Sequence, residues 1–115
     1  MSDTQEQTPS EASPSIFERR KDYRLSIKMP VVVGGFYPQT LESFRKEVLT
    51  QNVSRYGTSF ELQRDMAKVG SILDLSMGKT FEAKCRVVWV KDLDKDNISV
   101  GIEFISVVGQ WVLYN

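Results

Sequence analysis

Between Thr80 and Val90 the chain alternates strictly. Phe81, Ala83, Cys85, Val87 and Trp89 occupy one set of positions, and Glu82, Lys84 and Arg86 the other. Successive side chains of a strand point to opposite faces, so a period of two with one apolar set describes a strand that is buried on one side and wet on the other. One-sided burial of this kind belongs to antiparallel sheets. The polar run Asp92–Asn97 then reads as a hairpin turn, and Ile98–Ile105 returns as the partner strand with Gly101 at its middle. The alternation places Trp89 on the core face with Phe81 and Val87.

Other strand signals follow at short intervals. Leu25–Phe36 is rich in β-branched residues around Val31, Val32 and Val33, with Pro30 predicting an edge position or a bulge because proline has no N–H for a ladder. Thr58–Leu62 and Ser71–Met77 are further short strands, separated by a polar loop over Arg64–Gly70. Leu41–Thr50 fits two patterns: Leu41, Phe44 and Val48 have helical spacing, whereas Phe44, Lys46, Val48 and Thr50 would share one side of a strand. Short strands with turn signals between them indicate a sandwich or a small barrel. Val107, Val108, Trp111 and Val112 recur at helix-like spacing, which predicts a short amphipathic closing helix over 106–115, weakened by Gly109.

At 115 residues the chain is one domain's worth. Residues 1–15 are Ser, Thr, Gln, Glu and Pro with almost nothing to bury, and read as a disordered tail before a domain over 16–115. No apolar run approaches the roughly 20 residues of a membrane span, and the start has no basic-then-apolar leader. A soluble, cytoplasmic protein without membrane insertion is the expectation, and the single cysteine, Cys85, fits a reducing compartment. There is no histidine, which removes the commonest general base and the commonest metal ligand and argues against an enzyme. Glu61, Asp65 and Asp74 have no evident partners and read as solvated charges. The first fifteen residues hold three acids and no base, so the remaining hundred carry 15 basic against 12 acidic residues. That mild excess suits a local anion site better than a surface that tracks a long polyanion.

The positive charge is concentrated in Arg19-Arg20-Lys21-Asp22-Tyr23-Arg24, where the tail meets the first strand. Such a cluster is either a solvated charge run or an anion grip, since arginine offers a rigid fork for phosphate and a plane that stacks on a base. Downstream stands Asn52-x-Ser54-x-x-Gly57, by itself a side-chain turn closed by a left-handed glycine. Arg19-Arg20-x-x-x-Arg24 followed by Asn52-x-Ser54-x-x-Gly57, with a Val-Val-Trp strand and a Gly-x-Glu-Phe strand (Gly101–Phe104) behind them, resembles the PilZ domain family of bacterial cyclic di-GMP receptors. The resemblance covers roughly Phe17 to Val112.

It implies an all-β fold with a C-terminal helix, a six-stranded antiparallel PilZ-type β-barrel, and it favours a strand, or strand plus turn, over Leu41–Thr50. It implies no catalytic residues, metal or cofactor; the ligand would be cyclic di-GMP. Carried over, Arg19, Arg20 and Arg24 would contact phosphates and guanines, Asn52 and Ser54 would hydrogen-bond guanine and nearby backbone, and Gly57 would permit close approach. Trp89 is a weaker candidate: family members often carry an aromatic here near the ligand, yet the alternation assigns it to the core. Ordering the arginine segment costs roughly 1–2 kcal/mol per residue, and charge-assisted bonds return about 1.5–3 kcal/mol each. One arginine falls short of that cost and three on two phosphates can meet it, so the expectation is a segment that is mobile without ligand and ordered with it. Output would pass through a downstream protein partner, from a monomer or a ligand-linked dimer. Two rival readings stay open: a PilZ-like adaptor that binds no nucleotide, and a small barrel that binds single-stranded nucleic acid by arginine and aromatic stacking. The near-neutral charge speaks against the second, so no nucleic-acid polymer is expected.

Overall fold

The computed structural model describes residues 24–112. Six antiparallel strands form: β1 (Pro30–Phe36), β2 (Ser43–Val53), β3 (Gly57–Gln63), β4 (Ile72–Met77), β5 (Phe81–Asp92) and β6 (Asn97–Gly109). They close in the order β1-β2-β3-β6-β5-β4, with β4 pairing back onto β1. Closure removes the free edges that an open sheet of this size would expose. Pro30 is the first residue of β1, a position where a missing N–H costs the ladder least.

The interior is filled by alternate residues of all six strands, among them Val31, Val33, Val53, Phe60, Leu62, Leu73, Leu75, Phe81, Val87, Ile98 and Val100. Leu41–Thr50 resolves as a turn followed by β2, as the resemblance implies: Leu41 takes a left-handed φ of 64°, and Phe44 packs edge-on against Tyr37 at 5.2 Å. No helix forms in the described part of 106–115. Residues 106–109 continue β6, where Val107 lies opposite Ala83 and Val108 opposite Glu82. Residues 110–112 are irregular, and 113–115 lie outside the described residues, as do 1–23. The apparent helical spacing came from β-branched residues that suit a ladder better than a helix. Gly109, at φ 94°, ends the strand.

Three register shifts interrupt the ladders. Gln51 is an extra residue on β2, Val88 on β5 and Ile105 on β6. A single inserted residue inverts the inside–outside alternation beyond it.

Cys85 is buried on the core face of β5. Burial pushes its thiol up to about 12 from 9.0; the Asp74 carboxylate adds to the shift and Lys84 opposes it. The folded chain therefore keeps a proton that the unfolded chain loses above pH 9, and this contribution to stability falls as pH rises from about 9 to 12. Urea titrations at pH 8 and 10.5 are expected to show a smaller pH loss for Cys85→Ala than for the parent chain. The native thiol is expected to resist alkylating reagents at pH 8 until denaturant is added.

Candidate functional site

Just before β1, residues 24–29 run alongside the end of β2. The Leu25 N–H donates to the Val53 carbonyl and the Val53 N–H to the Leu25 carbonyl, both at 2.8 Å. Farther along, the Thr50 N–H donates to the Met29 carbonyl at 3.0 Å, and the Thr50 hydroxyl donates to the Ile27 carbonyl. This ladder fixes Arg24, which is exposed, one residue from the partner of Val53, and Val53 lies between Asn52 and Ser54. The last arginine of the first motif thus borders the second. Arg19 and Arg20 lie outside the described residues.

The second motif is a tight connection between β2 and β3. The Ser54 N–H donates to the Gly57 carbonyl at 2.9 Å, and the Tyr56 N–H donates to the Ser54 hydroxyl at 3.3 Å. Ser54 is buried, and its hydroxyl serves the turn. Gly57 is not in a left-handed conformation. It is glycine because a Cβ there would run into the Ile102 carbonyl of the neighbouring β6 and reach within 3.2 Å of the Glu103 Cα. The close approach is to backbone, and it is what allows β3 to join β6 at this point.

Asn52 points outward because of the bulge at Gln51. Thr50 is buried opposite Phe60, and without the extra residue Asn52 would also point inward; instead it lies opposite Ser59, on the outer face. Its amide is held between two hydroxyls: Ser26 donates to its Oδ1 at 3.4 Å, and its Nδ2 donates to the Ser59 Oγ at 3.5 Å. Ser59 lies opposite Gly101, and Gly101 opposite Trp89.

Trp89 corrects the sequence reading. The alternation assigned it to the core with Phe81 and Val87, but the bulge at Val88 turns it onto the outer face. Its partner Gly101 lies between the inward-facing Val100 and Ile102, and a Cβ on Gly101 would strike the indole ring. Trp89 is half-buried, lying across Gly101. The row Asn52–Ser59–Gly101–Trp89 crosses four strands and spans roughly 14 Å at the usual strand spacing. Arg86 and Glu103 pair at 3.0 Å on one side of it; Gln51, Glu61 and Ser99 form a hydrogen-bonded group on the other. Ser26 and Ser59 were not singled out in the sequence, and Gly101 was noted there only as part of its strand and not as a site residue. Finding them requires the two bulges, and period-two reading gives no sign of either.

Gly101→Ala is expected to displace the indole and lower stability by about 1–2 kcal/mol. The double variant Gly101→Ala/Trp89→Ala is expected to recover most of that loss, because the methyl then has room. Thermal melts of the four-member cycle check it, and strict additivity would place the indole elsewhere.

Among the described residues, no group of three or more Cys, His, Asp or Glu side chains is placed to hold a metal. The two best-formed concavities among the described residues lie away from the row. One of about 340 Å³ is bordered by Arg45, Asp74, Glu82, Lys84 and Val108; the other, of about 730 Å³, by Arg64, Lys68 and Lys95 among loops. Arg64 in the second is already engaged by Asp92 and the hairpin carbonyls of Asp94 and Lys95. Neither concavity includes Asn52, Ser59, Gly101 or Trp89, so among the described residues the motif surface is an outer face of the barrel.

The model of the PilZ domain family matches residues 18–110, a span that holds both motifs and all six strands. The chain belongs to the PilZ domain family. PilZ domains are ligand-binding receptor domains of a cyclic di-GMP-binding family, and the closed barrel is the PilZ barrel. No curated protein and no solved structure matches the chain. Among the described residues, no helix is long and apolar enough to cross a membrane.

Proposed function

We propose that this PilZ domain is a cyclic di-GMP receptor whose arginine segment closes over the outer row and passes the bound state to a protein partner. The reading rests chiefly on one observation: the ladder from Leu25 to Val53 brings the end of the arginine motif against Asn52 and the Ser54 turn. Arg19, Arg20 and Arg24 supply cations and stacking planes to a dianion with two purines. Asn52 presents both a donor pair and an acceptor to a guanine edge. Ser54 and Gly57 act through the turn that holds Asn52 in place. Trp89, at the far end of the row, offers an indole to stack on the second base.

An open face cannot enclose a ligand by itself, so the arginine segment is the second wall. Calorimetric titration of the full chain with cyclic di-GMP tests this, with Arg20→Ala beside it. The parent is expected to bind and Arg20→Ala to bind roughly tenfold to 150-fold more weakly, the loss of one charge-assisted hydrogen bond. Equal affinity of the two would overturn the site assignment. The adaptor reading draws on a different fact, that Asn52 and Ser54 are satisfied by protein groups. It predicts no heat and no shift in melting temperature from the parent chain.

A further inference from the structure

Trp111 lies beyond the last strand, yet it is only 5% exposed. Its ring centroid is 4.9 Å from that of Phe81 and 5.0 Å from that of Phe104, so the indole closes one end of the barrel. Its ring N–H donates to the Ser54 carbonyl at 2.8 Å. That carbonyl belongs to the turn that follows Asn52. From the β6 side, the Phe104 N–H donates to the Tyr56 carbonyl at 2.8 Å. The route to Trp111 is itself defined: Gly109 turns the chain out of β6, and the Gln110 N–H donates to the Thr80 carbonyl at 3.2 Å.

A buried indole N–H has one donor and needs one acceptor; losing it leaves a desolvated polar group unpaired. The Ser54 turn therefore cannot shift away from Trp111 unless the indole follows or the bond is broken. Either event disturbs the aromatic cluster of Phe81, Phe104 and Trp111.

We infer that Trp111 is a positioning residue for the motif turn: its N–H holds Ser54–Gly57 in the form that presents Asn52, and it carries displacement of that turn to the C-terminal end of the fold. The second half rests on the receptor reading; the hold itself does not.

Trp111→Phe keeps a ring against Phe81 and Phe104 and removes only the donor and the second ring. Ile98→Val, a truncation at the opposite end of β6, serves as a control for general destabilisation. Without ligand, amide exchange over residues 54–57 is expected to be roughly three- to tenfold faster in Trp111→Phe than in the parent, the effect of one net hydrogen bond. Amides of the β1–β4 ladder are expected to keep the parent rate or to change as they do in Ile98→Val. Equal acceleration across the whole barrel, or none at 54–57, would overturn the hold.

In a Trp89→Phe chain the sole remaining indole is Trp111, and its emission is expected to shift as cyclic di-GMP saturates the protein. Heat of binding with no change in that emission would overturn the transmission. Faster exchange at 54–57 in Trp111→Phe, with no binding heat from the parent, would leave the hold standing and overturn the receptor reading.

Discussion

Gly57→Ala is expected to lower the stability of the barrel by about 3 kcal/mol or more, at the upper end of the cost of overpacking. For a domain of this size that is a fall in melting temperature of roughly 15 °C. The added methyl would collide with the Ile102 carbonyl and crowd the Glu103 Cα. Both are backbone atoms of β6, itself held between β3 and β5, so no rotamer change relieves the clash. Gly34→Ala is the internal control: its methyl would meet the Phe44 carbonyl at 3.6 Å, ordinary contact, and the expected change is within about 1 kcal/mol. Thermal melts of the two variants decide the matter. Equal stability would mean that β3 and β6 are not so closely apposed. A motif glycine of this kind is easily taken for a ligand contact, and loss of binding in Gly57→Ala would be loss of the barrel junction first.

Phe81→Ala is expected to cost about 4 kcal/mol, within the range for large-to-small aromatic truncations. Phe81 is 1% exposed, lies at the start of β5 opposite Gly109, and touches both Phe104 and Trp111. Its removal leaves a cavity under Trp111 that neighbouring strands cannot close, because their backbones are fixed by pairing on both sides. The effect on the motif should be visible apart from the loss of stability. With Trp111 less firmly seated, amides of Ser54–Gly57 are expected to exchange faster than the global change accounts for. Phe81→Leu, which retains most of the volume, is expected to cost about half as much. Denaturant titration gives the stability, and exchange measured in the same samples gives the local effect.

How far the sequence could be read depended on whether a strand's alternation ran unbroken. From Phe81 to Val87 it does, and the burial of Phe81, Ala83, Cys85 and Val87 follows the pattern. The Asp92–Asn97 turn was legible from its composition. Its Asp94 carboxylate accepts the N–H groups of Asp96 and Asn97 and is held below its ordinary pKa, first by the Asp96 amide and then by the Asn97 side chain. Five of the strands and the two motifs were legible as well; β2 fitted helix and strand patterns alike until the family resemblance favoured a strand. What failed was the assignment of faces beyond an inserted residue. Trp89 follows Val88, and a two-residue period carried across that bulge assigns the indole to the wrong side of the sheet. Asn52 follows Gln51, and its outward aim could not be read from its own strand. The closing helix is missing from the described residues 106–112 for a different reason: Val107 and Val108 fit either period, and pairing with β5 decided between them. Ser59 carried no signal because a buried outer-face serine looks, in sequence, like any other strand serine.

The bulges at Gln51 and Val88 also bear on how such a domain can change over time. Because Asn52, Ser59 and Trp89 face away from the filled interior, substitutions at these positions leave the packing of Val33, Phe60 and Val100 untouched. The outer row can change by point substitution while the scaffold stays constant. Loss or gain of one residue at either bulge is another matter, since it would exchange inward for outward positions along part of a strand and send an indole or an amide into a full core. Length at those two places should therefore be held more tightly than identity, a conservation of spacing rather than of residues.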